Sequence, residues 1–273
     1  MCKNAHSGTE SSIPIEFEAL ASIGGLPPVH TPPEVIVLAG AGGLLGHHLL
    51  DHLLRTPSVK KVICVAVRQL EQKPRKNKLH SDDRMAYYEG DLAQACLGLS
   101  EADAEAIWAT ADAAILDGAD NSHVKSYPAM RASDFELTYE LLPPTLPRRI
   151  TFDYVSSPGA ALFDDDEVIL PVPAAEGSFP PPDGSLFYTA SKWTRERLLS
   201  LVNQRVGLRV SVHRPSTIVR EGKDAEGTTA QLDCLITCGS SKGAQSEPQP
   251  WRGGLGLHRQ CVRRGGRPGC RGG

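Results

Sequence analysis

The segment Gly40-Ala41-Gly42-Gly43-Leu44-Leu45-Gly46 constrains this chain more than any other. It follows the short apolar run Val35-Ile36-Val37-Leu38-Ala39, and it opens a stretch to Leu54 whose apolar residues recur at helical spacing. A partly β-branched apolar run of that length reads as a buried strand. A second run, Lys61 to Val67, ends at Arg68. Strand, glycine turn, helix and strand make the βαβ unit of a parallel sheet. Glycines at 40, 43 and 46 give the G-x-x-G-x-x-G variant of the dinucleotide fingerprint. Residues without a β-carbon allow the tight turn. They also let a pyrophosphate approach the N–H groups at the helix start, where the helix dipole favours negative charge.

Further units follow. Strands are expected at Met85 to Glu89, Ala113 to Leu116, Ile150 to Ser156 and Arg209 to His213. Helices are expected at Ser100 to Thr110, capped by Ser100, and at Leu186 to Gly207. The fold class is therefore α/β: a Rossmann-type, doubly wound parallel sheet with helices on both faces. Three regions are expected. Residues 1–33, with Gly24-Gly25-Leu26-Pro27-Pro28 and Thr31-Pro32-Pro33, read as a flexible arm or linker. Residues 34–233 form the nucleotide-binding domain. Residues 234–273 read as a disordered tail: positions 239–273 hold ten glycines, one Lys and six Arg against one Glu, with no apolar periodicity. Few aromatics accompany those arginines, so a shifted reading frame accounts for the tail better than an RNA-binding role.

The net charge of −3 gives no global basic field, and nucleic-acid binding is not expected. No window reaches the roughly 18 consecutive apolar residues of a membrane helix. Met1 to Gly25 lacks the basic flank and apolar core of a signal peptide. A cytoplasmic location without membrane attachment is the expectation. Seven scattered cysteines do not show the paired spacing of a zinc site, and no metal is expected.

Two further features carry chemistry. Tyr188-Thr189-Ala190-Ser191-Lys192 lies at the head of the long helix, some thirty residues after a strand ending in Ser156-Ser157. Positions i and i+4 share a helix face, so Lys192 can lower the Tyr188 pKa by charge and bond the nicotinamide ribose. Tyr188 can then protonate a carbonyl oxygen as hydride reaches its carbon, with a serine hydroxyl steadying that oxygen. At the end of the second strand Arg68 stands where an acidic residue would accept from the NAD ribose, which suits the 2′-phosphate of NADPH. Asp91, after the third strand, is a candidate contact near the adenine.

On these motifs the chain resembles the extended short-chain dehydrogenase/reductases. It is most similar to the thioester reductase domain at the C-terminus of fungal polyketide synthase–nonribosomal peptide synthetase hybrids, and is also related to the reductase domains of carboxylic acid reductases. The resembling segments are Glu34 to Gly46, Arg84 to Leu92, Leu116 to Tyr127, Tyr154 to Ser157, Tyr188 to Arg197 and His213 to Gly222. The resemblance implies catalytic roles for Ser157, Tyr188 and Lys192. It implies cofactor contacts from Gly40, Gly42, Gly43, Leu44, Leu45, Gly46, Arg68, Asp91, Leu92, Gly118, Ala119 and Pro215, and again from Tyr188 and Lys192. The cofactor would be NADPH. The substrate would be a thioester on the phosphopantetheine arm of an acyl or peptidyl carrier protein, released as aldehyde or alcohol in secondary metabolism.

The chain departs from the family pattern at several places. Ala39 stands where threonine is usual, and Asp117 and Asp134 occupy positions commonly neutral. An aspartate beside the cofactor would repel phosphate or require protonation. Pro143 and Pro144 are expected to interrupt a helix, and Pro158 removes a donor beside Ser157. After about residue 233 the resemblance stops, so the substrate-binding portion is expected to be incomplete. The alternatives are a stand-alone ketoreductase or dehydratase acting on a small pathway intermediate, or a catalytically inactive remnant of a synthetase reductase domain.

Overall fold

The computed structural model describes residues 17–23, 32–70, 82–118, 132–161, 179–180 and 186–215. Six strands form one sheet: β1 (Val35–Ala39), β2 (Lys61–Val67), β3 (Met85–Glu89), β4 (Ala113–Leu116), β5 (Thr151–Val155) and β6 (Val210–His213). Among the described residues five α-helices accompany them: α1 (Phe17–Ser22), α2 (Leu44–Arg55), α3 (Glu101–Thr110), α4 (Leu137–Thr145) and α5 (Phe187–Val206). Every strand pair is parallel and the order is β3-β2-β1-β4-β5-β6. Strand order reverses between β1 and β4, and open α/β sheets bind ligands in the crevice at the strand carboxyl ends there.

Alternating side chains send β1, β2 and β4 into two cores. Val37 and Ala39 of β1, with Ile63 and Val65 of β2, join one core with residues of α1, α3, α4 and α5. Ile36 and Leu38, with Val62 and Cys64, face the other side, where Leu50 and Leu53 of α2 cover them. Helices thus lie on both faces, as expected. Most of these apolar side chains are fully buried, and each such burial stabilises the fold by about 1.5–3 kcal/mol. On the α2 side, β5 and β6 present half-buried polar residues instead, including Asp153 and His213. These two are paired at 2.9 Å.

Three details correct the sequence reading. Within the arm expected at 1–33, residues 17–22 form helix α1. Phe17 and Leu20 are three apart on one face, Leu20 is buried, and the Phe17 ring lies 4.7 Å from the Arg205 guanidinium of α5. Its apolar face is short enough to be lost beside the Pro/Gly-rich stretch that follows. Pro143 and Pro144 do not interrupt α4: both lie in its last turn, and Leu146 closes it by bonding the Pro143 carbonyl. A proline there forfeits only the final backbone bonds. Pro158 opens a short 3₁₀ turn, Pro158–Ala161, where its missing donor is not needed, and Gly159 N–H donates to Ser157 Oγ at 3.2 Å in its place. The expected tail, 234–273, lies outside the described residues, as do Ala119 and the residues after Pro215.

Candidate active site

The sequence-predicted residues gather at the carboxyl edge of the sheet. After β1 the chain turns at Gly40 with φ +105°, a conformation open to glycine and strained for other residues. A Cβ on Gly40 would lie 2.5 Å from Gly118 N and 2.8 Å from the Asp117 carbonyl carbon, so the turns after β1 and β4 are in contact. Gly46, in the first turn of α2, is held as tightly: a Cβ there would meet the Gly40 oxygen at 2.2 Å. Gly43 N-caps α2 without any side-chain cap, which leaves that end to a ligand anion. Gly42, Leu44 and Leu45 are half-buried around it. A side chain at Gly40 or Gly46 would collide with backbone, so these glycines keep the turn tight at the head of α2, and a tight turn at a helix N-terminus fits a dinucleotide pyrophosphate.

Leu92 is buried against Gly118, and Pro215 is half-buried just after β6. The Arg68 guanidinium lies 3.2 Å from an Asp91 carboxylate oxygen. The two residues assigned separately to the adenosine end are therefore partners. The pair is largely exposed, so its strength is small and a phosphate can compete for Arg68.

Ser157 follows β5 and faces the start of α5. Its hydroxyl hydrogen-bonds the Tyr188 phenol, favouring phenolate, while burial pushes that phenol above its ordinary range. Burial is the larger influence, so Tyr188 holds its proton at neutral pH and can donate it. One turn on, Lys192 Nζ lies 5.8 Å from the Tyr188 ring centroid and donates to the Val155 carbonyl at 3.2 Å. Lys192 is buried, and burial, aided by Arg195, lowers its pKa to about 8. It remains a cation at pH 7. Ser157, Tyr188 and Lys192 are thus brought together, beside the glycine cradle, as an acid with a hydroxyl partner and a cationic neighbour.

Asp117 lies against the Gly40 turn, at the cradle. Burial, opposed by the Lys192 charge, pushes its carboxyl up to about 6. A carboxyl whose folded pKa exceeds its unfolded value of 3.8 binds more protons when folded, so stability falls as pH rises from about 4 to about 6. Asp117→Asn is expected to raise the unfolding free energy by about 2–3 kcal/mol at pH 7, at about 1.4 kcal/mol per pKa unit. The gain should vanish below pH 4. Denaturant unfolding at both pH values checks this, and equal stabilisation at both would refute it.

Two buried ion pairs were missed. Asp134 pairs with Arg195, Nη1 to Oδ1 3.3 Å, and Glu196 with Arg214, Nη2 to Oε2 2.5 Å. All four residues are buried. A signal was present for one of them: Arg195 lies seven residues after Tyr188, on the same helix face. Among the described residues no group of three His, Cys, Asp or Glu side chains could hold a metal ion.

Comparison with known proteins agrees with this geometry. The family described as male sterility protein, an NAD-binding family, matches residues 38–247. The highly reducing polyketide synthase calA of Penicillium decumbens is 48% identical over 203 residues, which are 74% of this chain and 7% of that protein. The PKS-NRPS hybrid synthetase cheA of Chaetomium globosum is 42% identical over 206 residues, 73% of this chain and 4% of that protein. The chain therefore spans only a small part of these relatives' lengths. The crystal structure of the terminal R domain from the myxalamid PKS-NRPS biosynthetic pathway superposes with a TM-score of 0.61 at 29% identity, covering 76% of this chain and 57% of that one.

Proposed function

Since the chain belongs to the NAD-binding male sterility protein family, homologous to the terminal R domains of PKS-NRPS hybrids, we propose that it is an NADPH-dependent thioester reductase. The substrate is an acyl or peptidyl chain on the phosphopantetheine arm of a carrier protein. The product is the aldehyde, or the alcohol after a second round, and a cytoplasmic location accompanies this reading. The observation that carries the proposal is the convergence of Ser157, Tyr188 and Lys192 beside the Gly40–Gly46 cradle.

The cradle and the α2 N-terminus would hold the pyrophosphate, and Arg68 would take the 2′-phosphate. When bound, NADPH would supply hydride to the thioester carbonyl carbon. Ser157 steadies the carbonyl oxygen and Tyr188 gives it a proton, forming a hemithioacetal. Its C–S bond then breaks, releasing aldehyde and the carrier thiol. Lys192 favours the phenolate that proton donation leaves behind.

Calorimetry with NADPH and NADH, on the full chain and on Arg68→Ala, tests the cofactor half. NADPH should bind more tightly than NADH, and Arg68→Ala should weaken NADPH about tenfold while leaving NADH unchanged. Incubation with NADPH and an acyl-pantetheine thioester, followed by aldehyde detection, tests the chemistry. Oxidation of NADPH by free carbonyl substrates but not by thioesters would favour a stand-alone ketoreductase. No NADPH binding by the folded chain would favour an inactive remnant.

A further inference from the structure

Tyr188, Ser191, Lys192 and Arg195 fall at i, i+3, i+4 and i+7 on α5, so one helix face carries the proton donor, its lysine and two further polar groups. Opposite this face lies the π-helical turn Ala132–Glu136 that leads into α4. Asp134 on that turn meets the face twice. Ser191 Oγ donates to one carboxylate oxygen, and Arg195 Nη1 donates to the other at 3.3 Å. Arg195 Nε also donates to Thr138 Oγ1 at 2.8 Å, and that hydroxyl in turn donates to the Asp134 backbone carbonyl at 2.9 Å. Asp134 is 1% exposed and Arg195 fully buried, so neither contact is diluted by water. The two contact points on α5 flank Lys192. The Arg195 guanidinium also stacks 4.5 Å from the Tyr154 ring centroid, and Lys192 Nζ lies 5.4 Å from the same ring.

A buried ion pair of this kind is a poor stability device, because apolar residues of like volume often serve as well or better. What it supplies is a fixed geometry. We infer that Asp134 is a positioning residue of this site, clamping the Tyr188–Lys192 face of α5 through Ser191 and Arg195. The inference rests on the reading of Tyr188 and Lys192 as the proton-donating pair.

Asp134 and Arg195 also act on that face by charge, in opposite senses. The Asp134 carboxylate raises the pKa of both Tyr188 and Lys192, and the Arg195 guanidinium lowers both. Ser157 after β5 also acts on Tyr188 through its hydrogen bond, and Lys192 Nζ lies 5.8 Å from the Tyr188 ring centroid. Those facing Lys192 are Asp117 after β4, Glu196 on α5 and the Tyr154 ring of β5.

The experiment uses the full chain, with Asp134→Asn, Arg195→Met and the double variant, each also made on a Tyr188→Phe background. The difference in ultraviolet tyrosinate titration between each protein and its Tyr188→Phe counterpart isolates the Tyr188 phenol. Its titration should move to lower pH in Asp134→Asn, to higher pH in Arg195→Met, and back toward the parent in the double variant. In the thioester assay kcat should fall by about 10²-fold in each single variant, as misplacement by about an ångström does, with KM for NADPH within about twofold. A purely structural role would lower stability without these opposed titrations. If the single variants do not fold, the charge-neutral double variant decides: folding with kcat still depressed and KM kept supports the clamp, and parental kcat overturns it. A Tyr188 titration that stays put, or moves the same way in both folded single variants, also overturns it. The titration needs no turnover, so failure of the thioester reading would show separately, as an inactive parent with the opposed shifts intact.

Discussion

Glu196→Ala is expected to lower the unfolding free energy by about 3–5 kcal/mol, the cost of breaking a buried ion pair by removing one partner. The pair is fork-like: Arg214 Nη2 donates to Oε2 at 2.5 Å, and Arg214 Nε to Oε1 at 3.0 Å. Ser156 Oγ donates to the same Oε1 at 2.5 Å. Both charged side chains are 2% exposed, so solvent does not take over when the carboxylate goes. The guanidinium then stays buried, stripped of this counter-charge. Domains of this size are stable by only about 5–15 kcal/mol, so the loss would be a large share of the total. Urea unfolding should show a lower midpoint at constant slope, the sign of changed stability in an unchanged two-state transition. The double variant Glu196→Met/Arg214→Leu should recover most of the loss, because charge and counter-charge leave together. A Glu196→Ala protein within about 1 kcal/mol of the parent would mean that water reaches this site. The pair also joins the ends of β5 and β6 to α5, so it fixes the strand end from which Ser157 projects.

This pair shows where the sequence stops being legible. The features readable in advance are local ones. Val35 to Ala39 forms the expected strand with four of its five residues buried, and Ser100 caps α3 by accepting from Asp103 N–H. The glycine spacing of 40, 43 and 46 fixes the cradle because each glycine answers to backbone only a few residues away, or to the next strand's turn. Tyr188 and Lys192 are legible because four residues on a helix is a fixed distance. Glu196 and Arg214 are 18 residues apart and Asp134 and Arg195 are 61 apart, so no local spacing couples them. Their partners are chosen by the docking of α5 on β5, β6 and the turn before α4. Sequence also placed Arg68 and Asp91 at one end of the cofactor, yet could not show that they face each other, because that depends on β2 and β3 being neighbours. The prolines misled for a related reason: a rule about helix interiors does not apply to the last turn, and helix ends are set by packing.

Tyr188→Phe is expected to reduce kcat by about 10²- to 10⁴-fold, the range supplied by a positioned proton donor. The substitution removes one oxygen and keeps the ring, so the packing of α5 should survive and NADPH should bind within about twofold of the parent. The loss should therefore appear in kcat rather than in cofactor affinity, marking an interaction made in the transition state. The pH profile adds a second constraint. Lys192 loses its charge as pH rises through about 8, and with it the support that a cation 5.8 Å from the Tyr188 ring would lend to a phenolate there. In the parent, kcat should accordingly fall on the alkaline side with an apparent pKa near 8, and Asp117→Asn should move that limb to lower pH, since the Asp117 carboxylate helps keep Lys192 charged. In Tyr188→Phe the residual rate has no phenolate for Lys192 to support, so the alkaline limb should flatten. A Tyr188→Phe enzyme with parental turnover would remove Tyr188 from the chemistry and leave Ser157 as the remaining hydroxyl. One with low turnover but an unchanged alkaline limb would mean that Lys192 acts on the bound ribose alone, and that its closeness to the phenol serves packing.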